Sequence, residues 1–236
     1  MTGVLMAWPE SIEVADGELC PMYSARLFTG TRVGQAPAWM RHRLLAAGLR
    51  PISNLVDVTN YVMLELGHPL HAFDMDLLKG DVVRVDTAED GMEFTTLDGQ
   101  RRKLLSTDLL IWDAERPVGL AGVMGGLDTE IHDGSTRVLL ECAMFRPGTI
   151  RKTARRLALP SEASYRFERG VDQGGAAYAL DRAAQLVAET SGASVHPGVV
   201  KDEPKPWVNR SMRFRPERCS RLVGVDFTPQ FCRRIF

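Results

Sequence analysis

Phe94-Thr95-Thr96-Leu97-Asp98-Gly99-Gln100-Arg101-Arg102-Lys103-Leu104-Leu105 carries the strongest β signal in the chain. Its two arms flank Asp98-Gly99, a pair that tolerates positive φ at both positions, and this predicts a hairpin closed by a two-residue turn. The neighbouring sequence agrees. Val82-Val83-Arg84-Val85-Asp86-Thr87 alternates as a half-buried strand does. Short apolar runs at 109–112, 118–123 and 138–142 read as buried strands. Helical signals lie on either side. Over 37–47, Pro37 suits a first turn, Trp39, Met40, Leu44 and Ala47 recur at helical spacing, and Gly48 stands where a left-handed cap belongs. Arg50-Pro51-Ile52-Ser53-Asn54 breaks that helix, and a mixed apolar segment then runs over 55–66 to Gly67. Ala176, Ala177, Leu180, Ala183, Ala184 and Val187 form one face of a later helix that Gly192 follows. Strands and helices together make the chain α+β.

The chain has 236 residues, enough for one large domain or one domain with an appendage. Apolar residues are 44% and charged residues 25%, which excludes a disordered or low-complexity chain. Lys and Arg number 29 against 30 Asp and Glu, so a strongly basic nucleic-acid coat is excluded and a local basic patch is not. No stretch reaches the roughly 18–20 apolar residues of a transmembrane helix. The opening, Met1-Thr2-Gly3-Val4-Leu5-Met6-Ala7-Trp8-Pro9-Glu10, lacks the cationic and apolar regions of a secretory signal, and the chain is expected to be cytoplasmic. Cys20, Cys142, Cys219 and Cys232 form no C-x-x-C pair and read as free thiols. Among the histidines only His68 and His71 are close, and Pro69 between them spoils helical metal-site spacing, so no metal is expected. Lys201-Asp202-Glu203-Pro204-Lys205-Pro206 has almost nothing to bury. The organisation expected is a domain over 1–200, a linker over 201–208, and over 209–236 a small arginine-rich piece too short for a sizeable core.

Three segments are unusual for pure core. Asn54-Leu55-Val56-Asp57-Val58-Thr59-Asn60-Tyr61, with Glu65 to Asp74 after it, sets two Asn, several acids and two His among apolar neighbours. Buried polar groups cost free energy unless paired, so this is either an internal hydrogen-bond network or a polar-lined pocket. Gly119-Leu120-Ala121-Gly122-Val123-Met124-Gly125-Gly126 fits neither a phosphate-binding loop nor a dinucleotide fingerprint. Its glycines serve tight packing or the close approach of a ligand. Leu139-Leu140-Glu141-Cys142-Ala143 holds a carboxylate in an apolar strand, and alternation places Glu141 on the face of Leu139 and Ala143. Arg151, Lys152, Arg155 and Arg156 stand at helical spacing, as a solvated face or as phosphate holders.

Taken together these segments resemble the editing region of the bacterial phenylalanyl-tRNA synthetase beta-subunit family. The resemblance rests on Pro37-Ala38-Trp39 with Gly48-Leu49-Arg50-Pro51, on 54–61, and on His68-Pro69-Leu70-His71-Ala72-Phe73-Asp74. It continues through Ala121-Gly122-Val123-Met124-Gly125-Gly126, Leu140-Glu141-Cys142-Ala143 and Arg166-Phe167-Glu168-Arg169-Gly170-Val171-Asp172, in order over about residues 12–200. The piece after Asn209 is similar to the opening of the family's next module, a small nucleic-acid-binding-like domain. The chain is therefore expected to be an internal part of a longer subunit.

The resemblance implies layered mixed β-sheets with flanking helices, and hydrolysis of tyrosine wrongly attached to phenylalanine tRNA. A synthetic pocket rejects an isostere that adds only a hydroxyl by about a hundredfold, so a second sieve is useful. By similarity Glu141 recognises the tyrosine hydroxyl through a charge-assisted hydrogen bond. His71, Asn60 and Thr59 carry the catalytic roles near the ester and the terminal adenosine. Ala121, Gly122, Gly125, Ser161, Ala163, Ala72 and Phe73 line the substrate. Ser161 stands where threonine is usual in the family, and His68 where glutamine is commoner. His71 has the ordinary pKa of a general base near neutrality, although in the family the substrate's own adenosine hydroxyl and ordered waters carry much of the work. The implied partners are the synthetase alpha subunit, in a two-plus-two heterotetramer, and phenylalanine tRNA. ATP and magnesium would belong to the whole enzyme, and no cofactor and no synthetic site are expected in this part. The rival expectations are a non-catalytic scaffold or tRNA-docking module and a freestanding deacylase acting in trans.

Overall fold

The computed structural model describes residues 11–80, 82–209 and 211–236. The opening ten residues, read above as lacking a secretory signal, lie outside them. The chain divides into two compact units, Met1–Pro206 and Trp207–Phe236. In chain order the first unit contains β1 (Ser11–Val14), β2 (Met22–Thr29), α1 (Ala38–Ala46), α2 (Asn54–Leu66), β3 (Leu70–Asp74), β4 (Val82–Thr87), β5 (Glu93–Thr95) and β6 (Arg101–Lys103). It continues with β7 (Leu109–Trp112), β8 (Pro117–Leu120), β9 (Met124–Gly125), β10 (Arg137–Met144), α3 (Pro147–Arg156), α4 (Glu162–Phe167), α5 (Ala176–Ser191), β11 (Ser194–Val195) and β12 (Val200–Asp202).

Two sheets and a helical layer organise this unit. The first sheet runs β1-β4-β7-β8-β9 and is mixed, because β1 joins β4 in parallel while the other pairs are antiparallel. The second runs β11-β2-β10-β3, with β12 also on β2, and is antiparallel throughout. A separate hairpin pairs β5 with β6. Strand β10 shows how the layers meet. Its Val138, Leu140, Cys142 and Met144 join a core with Met40, Leu44, Val58, Val62 and the alanine face of α5. Its Leu139 and Ala143 join the other core, with Val83, Val85, Ile111 and Leu120 of the first sheet. Period-two alternation thus sends one set of side chains to the helices and the other between the sheets. The layered α+β architecture is as expected.

The local sequence explains most element ends. Helix α2 starts at Ser53, whose hydroxyl accepts from the Val56 amide, and stops at Gly67 with φ of 75°. Gly192, at φ of 69°, closes α5 in the same way. The segment 55–66, left without an element by sequence, is helical. Strand β2, central to its sheet, adds to the elements read from sequence. The hairpin around Asp98-Gly99 forms, but only Gly99 takes positive φ, at 74°. The Asp98 carboxylate instead accepts from Thr96 Oγ1 and the Gln100 amide, so the turn spans Thr96 to Gly99. The run 118–123 is not one strand, because Gly122, at φ of 65°, turns β8 back into β9. The expected linker also needs correction. Val200, Lys201 and Asp202 pair with Ala25, Ser24 and Tyr23, and Asp202 accepts from the Val14 amide at 2.9 Å. Backbone pairing requires no apolar side chains, so a charged, proline-flanked stretch can still complete a sheet.

The second unit contains α6 (Pro216–Val223) and α7 (Pro229–Ile235), and within it the Phe227 and Phe231 rings stack 5.6 Å apart. Most of its residues are exposed. Among the described residues no helix is long and apolar enough to cross a membrane.

Candidate functional site

The site starts from a register. In the second sheet Glu141 of β10 lies directly opposite His71 of β3, so both side chains project between the two sheets. Phe73 follows on the same face of β3, its ring edge-on to the imidazole at 4.4 Å between centroids. The facing wall is the β8 turn and β9. There the glycine run has a steric reason. A Cβ on Gly125 would lie 2.6 Å from His71 Cε1 and 2.8 Å from its Nε2. A Cβ on Gly122 would meet the Phe145 and Phe167 rings at 2.9 and 3.0 Å. Helix α4 closes a side with Ala163 and Phe167. Its N-cap Ser161 accepts from the Ser164 amide and donates to the Val123 carbonyl, tying the helix to the turn.

Two adjoining cavities result. The inner one, about 90 Å³, has Glu141 in its wall with Phe73, Ala121, Gly122 and Phe167. The outer one, about 290 Å³, is bounded by Val56, Thr59, Asn60 and Met63 along one face of α2, with Leu97 and Ile131. They share His71, Val123, Met124, Gly125 and Ala163. A cavity of about 150 Å³ takes a benzene, so the inner one alone is smaller than that, and a ring entering it would also use the space it shares with the outer one.

Electrostatics differ at the two ends. Glu141 is 7% exposed, and burial pushes its carboxyl up to about 7, against the opposing effect of the Tyr23 hydroxyl. That hydroxyl donates to Glu141 Oε2 at 2.8 Å. Burial pushes the His71 imidazole down to about 4. His71 is therefore neutral at pH 7, which fits a positioning role better than that of a general base. It is a weak base that can still donate or accept a hydrogen bond. Among the described residues its ring makes no hydrogen bond to protein and faces the cavities.

The structure brings all the sequence-selected residues to these cavities, with differing side-chain roles. Glu141, Ala121, Gly122 and Phe73 line the inner one, Thr59, Asn60, Ala72 and Ser161 the outer, and His71, Gly125 and Ala163 both. The Thr59 hydroxyl is taken by the Val56 carbonyl at 2.8 Å, and the Ser161 hydroxyl by its cap and tether. The Ala72 methyl packs into the helical core. The Asn60 amide has no hydrogen-bond partner among the described residues. Elsewhere in the same sequence segment the polar groups are structural. Asn54 bonds to Gly34, Arg32 and Thr190 backbone, Asp57 to the Ile52 amide, and His68 Nε2 to Ala143 O. The segment is thus both a network and a pocket wall. Arg156 pairs with buried Asp108, whereas Arg151, Lys152 and Arg155 are exposed. No cluster of three potential metal ligands occurs among the described residues. Sequence reasoning missed Tyr23, Met124 and Phe167. The signal that finds Tyr23 is the alternation of β2 itself, in which Tyr23, Ala25 and Leu27 alternate with Ser24 and Arg26.

Fold and site define a two-sheet α+β domain with a buried carboxylate in the wall of a small cavity, and the family described as the B3/4 domain matches residues 19–192. The chain belongs to that family. It is 59% identical to the phenylalanine–tRNA ligase beta subunit of Nitratidesulfovibrio vulgaris over 222 residues, 94% of this chain and 28% of that protein. The beta subunit of Geobacter sulfurreducens is 50% identical over 226 residues, 96% of this chain and 28% of that protein. The chain thus spans little more than a quarter of the curated relatives it matches. A solved N-terminal fragment of the phenylalanyl-tRNA synthetase beta subunit from Pyrococcus horikoshii shares the fold, with a TM-score of 0.52 at 12% identity, over 93% of this chain and 61% of that one.

Proposed function

We propose that the chain is the editing part of a phenylalanine–tRNA ligase beta subunit and hydrolyses tyrosine from mischarged phenylalanine tRNA. The observation that carries the proposal is Glu141 in the wall of a small inner cavity that adjoins, beside His71, a larger one. A phenol in the inner cavity would donate its hydroxyl to the carboxylate. A phenylalanine ring would leave the second carboxylate oxygen, Oε1, without a partner while excluding water from it, and an unsatisfied buried acceptor is costly. The ester would then sit at the junction beside His71, with the terminal adenosine in the outer cavity and the Asn60 amide free to bond it. Water adds to the ester carbonyl, the bond to the ribose oxygen breaks, and a proton from the water passes to that oxygen. Free tyrosine and uncharged tRNA result.

Neither candidate side-chain base suits direct water activation. His71 is a weak base, and Glu141 is committed to the ring hydroxyl. The chain's contribution is therefore placement of the ester and of water, with His71 and Asn60 as hydrogen-bonding groups and the neighbouring ribose hydroxyl as the proton relay. The partners that follow are tRNA and the synthetase alpha subunit in a two-plus-two assembly.

The test incubates the 236-residue chain with tyrosyl- and phenylalanyl-tRNA specific for phenylalanine and follows ester loss. The tyrosyl ester should disappear faster by at least about a hundredfold, the discrimination a site built around a hydroxyl readily supplies. Equal rates would overturn the proposed selectivity, and stability of both esters would overturn the proposal in favour of a non-catalytic docking module.

A further inference from the structure

We infer that Tyr23 is the positioning residue of the inner cavity: its hydroxyl holds one oxygen of Glu141 so that the other is presented to the ligand. This rests on the editing proposal for what the ligand is, and on geometry for the rest. In the β2–β10 register Tyr23 faces Ala143, one pleat along from Glu141, so its ring lies diagonally beside the carboxylate on the same side of the sheet. The ring is fully buried, and its hydroxyl donates to Glu141 Oε2 at 2.8 Å. Glu141 Oε1 has no hydrogen-bond partner among the described residues, and Glu141 lines the cavity. A carboxylate accepts about four hydrogen bonds, so one phenol from the protein leaves room for a second from the ligand. The fixed phenol removes the rotamer freedom that a lone glutamate would lose on binding.

The groups facing Glu141 are few. Tyr23 and Cys20 approach from β2 and the turn before it, His71 from β3, and Cys142 adjoins it on β10. Burial pushes both thiols and the Tyr23 phenol up and the imidazole down, so all four are uncharged at pH 7. The cavity's remaining wall, from Ile111 through Gly119–Gly125 to Ala163 and Phe167, carries no titratable side chain. A pH response of the cavity near neutrality therefore reports Glu141.

Tyr23→Phe retains the ring and removes the donor. Two measurements on the 236-residue chain decide the inference. The first is a carbon-13 titration of the Glu141 carboxyl, assigned through Glu141→Gln. The second is the ratio of kcat/KM for tyrosyl over phenylalanyl ester between pH 6 and 9. If Tyr23 positions Glu141, the carboxyl midpoint rises by about 1–2 pH units in the variant. Selectivity at pH 7 falls by about tenfold and recovers towards pH 9, where the carboxylate is charged again. An unmoved midpoint, or a selectivity loss equal at every pH, overturns the inference and leaves Tyr23 as packing. If the variant does not fold, replacing the tyrosines with 3-fluorotyrosine, a stronger donor, must lower the midpoint, and no change overturns the inference. A wild-type chain that cleaves neither ester sinks the editing proposal alone, because the titration still decides the role of Tyr23.

Discussion

Glu141 and His71 face each other across a strand pair and respond to pH in opposite directions. The Glu141 carboxyl, raised from 4.5 to about 7, contributes its full stability below pH 4.5 and loses it as pH rises through 7. The His71 imidazole, lowered from 6.5 to about 4, contributes fully above pH 6.5 and loses it as pH falls through 4. Between 4.5 and 6.5 the two slopes largely cancel, so the wild-type chain should show little net effect from this pair. Each removal uncovers the other. Glu141→Gln should make stability rise from pH 4 to 6.5, and His71→Gln should make it fall from 4.5 to 7, each by on the order of 2–3 kcal/mol. Urea melts across that range check this, and parallel profiles for the two variants would refute it. At this scale the sequence was informative about identity and silent about environment. Strand alternation put Glu141 on an inward face, but the lowered basicity of His71 comes from depth of burial, which no spacing encodes.

Among the elements, β9 shows how a backbone makes room for a side chain. Gly125 does not have positive φ, so alanine suits its backbone, yet its Cβ would meet His71 and Leu97 Cδ1, the latter at 3.1 Å. Gly125→Ala should cost about 1–3 kcal/mol through overpacking. It should slow ester hydrolysis far more, by up to about a hundredfold, because the imidazole must shift by the order of an ångström. Thermal melts beside single-turnover rates separate the two effects, and a normal rate would show that His71 needs no fixed place. The glycine run was conspicuous in sequence, but its two explanations, packing and ligand approach, could not be separated there. The structure shows packing at two of them: Gly122 packs against Phe145 and Phe167, and Gly125 against His71. Helix α2 was illegible for a related reason. Asn54, Asp57, Thr59 and Asn60 blur its apolar stripe because buried polar bonds and a cavity wall occupy faces that are usually solvated.

For the whole molecule, sequence pattern supplied β4 to β8 and β10 and helices α1 and α5, while the layering came from family resemblance and the central strand β2 from neither. Composition gave a linker over 201–208, and the backbone of its first two residues completes a sheet. Truncation tests this directly. A chain ending at Pro206 keeps every residue of both cavities and β12, and should melt within a few degrees of the full chain. Ending it at Val199 removes β12 and the Asp202 bond to Val14, uncovers part of the β2 edge, and should lower the melting temperature and promote aggregation. Equal melting of the two truncations would show that β12 adds nothing.

Side chains on β10 alternate between two worlds, and the chemistry of the cavity depends on which set looks inward. A shift of one residue against β2 and β3 would exchange Glu141 for Leu140 or Cys142 and leave the cavity wall without its carboxylate. Whatever the cavity distinguishes is therefore written in the ladder of main-chain bonds on either side of β10 as much as in the single carboxylate it carries.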